Sequence, residues 1–224
     1  MKILLAGDSW GCGEWNIDWT KGCNHKGLEQ YLKDDKHDVK NISQPGHTFI
    51  NTLEELNYEV EENEKYDYVF VFVTDANRGI AGSEFWAKDY TYKDYQFRWN
   101  TRIKTFVEVL NTLDIGPIFL LGGLTKCYNS YVKDTKIKIA IPSILELIIP
   151  GGKHYDMCFL EHMDKLNKNN ASKITIKKIW LQVKVFDDLF KNPIMHPDGD
   201  HPNREGHHKI YKFLKDKYLH AKSN

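Results

Sequence analysis

What the 224-residue sequence lacks sets the first limits. No apolar run approaches the ~18 residues of a membrane-spanning helix. The stretch Ile3-Leu4-Leu5-Ala6 is too short for the core of a secretory signal peptide and leads straight into Gly7-Asp8-Ser9. A cytoplasmic location and no membrane span are expected on these grounds. Charge of one sign is also missing: 31 basic residues balance 31 acidic ones. Nucleic-acid-binding domains carry a basic excess, so no nucleic-acid partner is expected. Cysteine is scarce, with four residues at positions 12, 23, 127 and 158 and no C-x-x-C pair. That rules out a dense disulfide framework, and reduced thiols are expected. Neither an internal repeat nor a Pro/Gly/Ser-rich linker divides the chain, so residues 1–224 are expected to form a single domain.

What is present belongs to a folded chain. Hydrophobic residues make up 41% and charged residues 28%, values that exclude disordered and low-complexity classes. Charge is uneven along the chain, acidic over residues 1–66 and basic over 126–178, which reads as solvated faces of helices. Residues 2–6 read as a short buried strand and 38–42 as a second, closed by Gln44-Pro45-Gly46. Tyr68 to Val73 is an unbroken aromatic and β-branched run, as in a strand covered on both faces. Ile118 to Leu121 reads as another. Between the strands, Leu53, Leu56 and Val60 follow helical spacing, and Trp99, Ile103, Phe106, Val107, Leu110 and Leu113 form one helical stripe. A last helix is expected from about Asn203 to Tyr218. Residues 124–190 fit less well and are expected to be an insertion of mostly helical character. The fold class expected is α/β: three layers, α/β/α, flavodoxin-like, with a mostly parallel sheet and helices on both faces.

In such folds ligands sit at the carboxyl ends of the strands. Gly7-Asp8-Ser9-Trp10-Gly11 falls there and matches the G-x-S-x-G nucleophile pattern literally. The α/β-hydrolase elbow, however, follows several strands, and only one precedes Ser9. Taken alone, Gly7-Asp8-Ser9 reads sooner as a turn in which Asp8 or Ser9 caps the next helix than as a nucleophile. The segment His196-Pro197-Asp198-Gly199-Asp200-His201-Pro202-Asn203 adds what a serine needs. A hydroxyl is a poor nucleophile until a base takes its proton, and an imidazole does so near neutral pH. Asp198, three residues before His201, can hold the other ring nitrogen.

Together these segments resemble the SGNH, or GDSL-like, lipase/esterase family. That family opens with a strand ending in G-D-S and closes with D-x-x-H-P-N-x-x-G-H before a terminal helix. Here Gly7-Asp8-Ser9 matches the first block, and Asp198, His201, Pro202, Asn203, Gly206 and His207 match the last. Gly46 looks like the family's second block, whose glycine N–H points at the oxyanion. The resemblance implies a serine esterase without cofactor or metal, acting on a small-molecule or carbohydrate ester. Ser9, Asp198 and His201 would be catalytic, and Ser9, Gly46 and Asn77 would form the oxyanion hole. The family's third block, G-x-N-D, is imperfect: Val73-Thr74-Asp75-Ala76-Asn77-Arg78 places Ala76 where the asparagine belongs. Either the loop bulges by one residue so that Asn77 donates, or the third donor is lost or replaced by Thr74 or Arg78. This defect leaves a second reading open, an SGNH-fold carbohydrate-binding or assembly protein with weak or no turnover.

Other candidates are weighed beside these. The His196, His201, His207, His208, Asp198 and Asp200 cluster matches no standard metal-ligand spacing. His25, His37, His154, His162 and His220 read as surface residues. Trp10, Trp15 and Trp19 read as packing of the first helix, with Trp10 also a candidate substrate contact together with Thr74 and Arg78. Trp86, Tyr90, Tyr92, Tyr95 and Trp99 suit either a helix approach or a pocket wall. A homo-oligomer is compatible with the sequence.

Overall fold

The computed structural model describes residues 1–73, 92–123, 125–149, 193–195 and 201–220. Its centre is a five-stranded sheet of β1 (Lys2–Ala6), β4 (Asp38–Asn41), β5 (Tyr68–Val73), β6 (Ile118–Gly122) and β7 (Lys138–Ile141). The order is β4-β1-β5-β6-β7, and every pairing is parallel. The central strands are apolar on both faces: Ile3, Leu4, Leu5, Ala6, Val69, Phe70, Val71, Val73, Leu120 and Leu121 are all fully enclosed. A strand with two covered faces needs no alternation of polar and apolar residues, which is why these runs read so clearly. The helices covering the sheet include α2 (Leu28–Asp34), α3 (Phe49–Glu61), α4 (Tyr92–Thr112) and α6 (Arg204–Tyr218). The expected stripe on α4 is buried from Trp99 through Leu110, and Leu113, just past the helix end, is buried too.

After β1 the chain crosses to one side to form β4, then to the other side to form β5. The carboxyl ends of β1 and β5 therefore mark the switch point where an open α/β sheet leaves a crevice. Ser9 follows β1 by three residues.

Two expectations change. Within 124–190, Lys138–Ile141 forms the fifth strand of the main sheet, paired with β6. Pro142 then ends that strand, and the Ser143 hydroxyl accepts from Glu146 N to start the short helix α5 (Ile144–Ile148). Pro142 separates two elements rather than interrupting one helix. The remainder of that segment, 150–190, lies outside the described residues. The first helix is also shorter than tryptophan spacing implied. Helix α1 covers only Ser9–Cys12, because Gly13 turns away at φ +120°, where an added Cβ would sit 2.3 Å from the His25 carbonyl oxygen. Trp15 lies instead on a two-stranded antiparallel ribbon, β2 (Glu14–Trp15) with β3 (Cys23–His25).

Candidate active site

The turn after β1 is built from short-range hydrogen bonds. Asp8 is the N-cap of α1, and its carboxylate accepts from Trp10 N at 3.0 Å. Capping and a nucleophile are thus compatible here: Asp8 caps, and Ser9 presents its hydroxyl. Trp15 Nε1 donates to the Ser9 carbonyl at 3.2 Å. The loop after β4 is fastened to the same turn. Gln44 N donates to the Gly7 carbonyl at 3.1 Å, Asn41 Nδ2 to the Gly11 carbonyl at 2.9 Å, and Cys12 Sγ to the Ser43 carbonyl at 3.4 Å. Gly46 follows in that loop, exposed and at φ +76°, a backbone geometry that favours glycine.

The other half comes from the far end of the chain. Met195 bridges Pro202, and Asn203 N donates to the Ile194 carbonyl at 3.0 Å. Asn203 caps α6, its Oδ1 accepting from Glu205 N at 3.0 Å and Gly206 N at 3.1 Å. His201, two residues before this cap, meets the turn that follows β1. Its Nε2 lies 2.8 Å from Ser9 Oγ, across 192 residues of sequence. Both side chains are buried, Ser9 4% and His201 8% exposed. A hydroxyl and an imidazole in hydrogen-bond contact, shielded from bulk water, can pass a proton between them.

Asp198, Asn77, Thr74 and Arg78 lie outside the described residues, as do Trp86 and Tyr90. Of the expected substrate contacts, Trp10 is placed elsewhere: it is 1% exposed and packed in the core, because the single turn of α1 aims it inward. Trp99 likewise faces the core, beside Phe49. His25, expected at the surface, is half-buried, with Nδ1 accepting from Gly27 N and its ring against Tyr31.

Trp15 and Glu14 make contacts that the sequence did not lead one to expect. Trp15 stands edge-on to the His201 ring, centroids 6.3 Å apart and planes at 60°. Glu14 takes the Arg204 backbone N–H on Oε1 and the Arg204 guanidinium on Oε2, both at 3.2 Å. A two-residue strand has no periodicity to detect, so only the aromatic clustering hinted at either. His207 is fully buried on the inner face of α6, and its two ring nitrogens have no hydrogen-bond partner among the described residues. A Gly13 backbone group approaches the ring without meeting hydrogen-bond geometry. Loss of hydration pushes the His207 imidazole down to about 4, so it is neutral at physiological pH. Among the described residues, no group of three or more His, Cys, Asp or Glu is arranged to hold a metal ion. Nor is any helix among them long and apolar enough to cross a membrane.

Comparison with solved structures places this arrangement. A lipase from a goat rumen metagenome superposes with TM-score 0.51 at 15% identity, over 96% of each chain. A lipolytic protein of the G-D-S-L family from Veillonella parvula gives 0.48 at 11% identity, over 99% of this chain and 100% of its own. A psychrotrophic esterase from Pseudoalteromonas gives 0.43 at 18% identity, over 97% and 96%. The likeness to the rumen lipase is one of fold, a parallel sheet covered by helices. No family model and no curated protein sequence matches the chain. The Ser9–His201 pair stands beyond the carboxyl end of β1, beside the switch point of the five-stranded sheet.

Proposed function

We propose that the chain is a serine ester hydrolase of the SGNH family, acting through an acyl-enzyme. The observation that carries this reading is the 2.8 Å contact between Ser9 Oγ and His201 Nε2 in a buried site at the switch point of the sheet. Ser9 Oγ attacks the ester carbonyl while His201 Nε2 takes its proton. The tetrahedral adduct collapses, the ester C–O bond breaks, and His201 returns the proton to the leaving alcohol. Water then attacks the acyl group with His201 again as base, releasing the acid and restoring the serine. Asp198 is assigned to hold His201 Nδ1–H. The Ser9 and Gly46 N–H groups are assigned to the developing oxyanion, with the Asn77 amide as third donor. The steps balance without a cofactor. Small acyl esters, such as O-acetyl groups on carbohydrate, are the proposed substrate class.

The rival reading, a binding or assembly protein that has lost turnover, leaves the aligned and shielded hydroxyl–imidazole pair without a purpose. Two measurements separate the readings. A serine-directed phosphonate should add to Ser9, seen as a mass shift on the peptide that contains it. Ser9→Ala should lower hydrolysis of a chromogenic acetyl ester by roughly 10³-fold or more. Unchanged hydrolysis by Ser9→Ala would refute the mechanism. Absence of any Ser9 adduct, combined with glycan binding, would establish the rival.

A further inference from the structure

Ser9 and His201 lie at opposite ends of the chain, so something must set their separation to within a few tenths of an ångström. The Trp15 side chain meets both. The peptide between Ser9 and Trp10 is gripped at each end: the Asp8 carboxylate takes its N–H at 3.0 Å, and Trp15 Nε1–H takes its carbonyl at 3.2 Å. That double hold fixes the backbone torsion next to the Ser9 Cα–Cβ bond, and with it the direction of the hydroxyl. The same indole meets the His201 ring edge-on. Trp15 is 7% exposed, so water does not compete for its N–H.

The neighbouring residue extends the arrangement. Glu14 accepts from the backbone N–H and the guanidinium of Arg204, three residues after His201. The ribbon β2–β3 therefore fastens to the nucleophile turn through Trp15 and to the start of α6 through Glu14. It spans the gap that the sheet alone does not control. We infer that Trp15 is a positioning residue for the Ser9–His201 pair, with the Glu14–Arg204 contact as its second anchor. The inference rests on the serine-esterase reading above.

The test uses the full chain, with Trp15→Phe and Trp15→Leu beside the wild type. Phenylalanine keeps a ring against His201 and loses the N–H; leucine loses both. Three quantities are read: kcat and KM on a chromogenic acetyl ester, the rate of phosphonate addition to Ser9, and Tm. For Trp15→Phe, kcat and the phosphonate rate should both fall roughly 3- to 10-fold, the worth of one neutral hydrogen bond expressed as a rate. KM should stay within about twofold. Trp15→Leu should fall further, so that phenylalanine counts as partial rescue. If Trp15→Phe labels and turns over at the wild-type rate, or loses Tm with no change in rate at temperatures where it is folded, Trp15 is packing alone and the inference fails. A wild type that does not label at Ser9 instead overturns the parent reading, so the two failures are distinguishable.

Discussion

At the scale of single residues, glycine geometry decides where the nucleophile turn can go. Gly7 sits at φ +131°, and an added Cβ would lie 2.7 Å from the Phe72 carbonyl oxygen and 2.8 Å from Phe72 Cβ. The turn therefore crosses directly over β5, and backbone cannot yield there as a flexible side chain would. Gly7→Ala should destabilise by about 2–4 kcal/mol through strain and overpacking together. In a chain of this size that is a fall in Tm of roughly 4–16 °C. Gly46 supplies the control, since its positive φ comes with open space around the missing Cβ. Gly46→Ala should cost only about 1 kcal/mol. Thermal denaturation of the two variants measures the contrast, and equal losses would mean that crowding at Phe72 is relieved by local movement. Residue chemistry of this kind was partly legible in the sequence. The pairing of Ser9 with His201 could be expected because a serine hydroxyl acting as a nucleophile would need a base. Trp15 could not, because a tryptophan's role depends on what its N–H meets, and that partner is a carbonyl no pattern marks.

At the scale of elements, the entry to α6 carries His201, the proposed general base. Asn203 accepts two backbone N–H bonds as N-cap, and its Nδ2 also donates to the Pro193 and Met195 carbonyls. It joins the helix to the strand-like segment that brackets His201. Asn203→Ala should cost about 1–2 kcal/mol in stability, a Tm lower by roughly 2–8 °C. It should also lower kcat, since His201 is two residues away, whereas Asn203→Asp, which keeps the cap acceptor, should recover most of the Tm and less of the rate. Calorimetry beside steady-state kinetics checks both halves, and a fully active Asn203→Ala would show that the cap does not hold the imidazole. Strands β1, β5 and β6 and helices α3, α4 and α6 were legible because each is long or doubly buried enough to leave a period. Strand β4, short and at an edge, was legible because Gln44-Pro45-Gly46 closes it, whereas β7, equally short and also at an edge, lies in the apolar run from Ile137 to Pro150, where strand and short helix leave no distinguishing period. The ribbon β2–β3 was hidden because two and three residues hold no period, and the tryptophan spacing around it imitated a helix.

At the scale of the whole molecule, the two chain ends are joined by groups that also set how the fold responds to acid. His207 lies one helical turn beyond Asn203, the N-cap of α6, wholly buried, with Gly27 so close that a Cβ there would meet the ring at 2.8 Å. Burial holds its imidazole at about 4, below the ordinary value of 6.5, and the nearby His201 and His25 push in the same direction. The unfolded chain therefore takes up a proton between about pH 6.5 and 4 that the folded chain refuses. Stability must rise with pH across that window: it is fully present above pH 6.5 and drains as pH falls towards 4, by about 3 kcal/mol in all. Carboxylates such as Asp35, held low by Lys215 and Tyr211, lose their contribution mostly below this window. His207→Phe keeps a ring in the slot and removes the titration. Urea unfolding at pH 7.5 and pH 5 should show a steep loss for the wild type and a flatter one for His207→Phe, whatever the variant's absolute stability. Parallel losses in the two proteins would mean that the buried imidazole finds a proton-sharing partner, and that acid opens the joined chain ends from elsewhere.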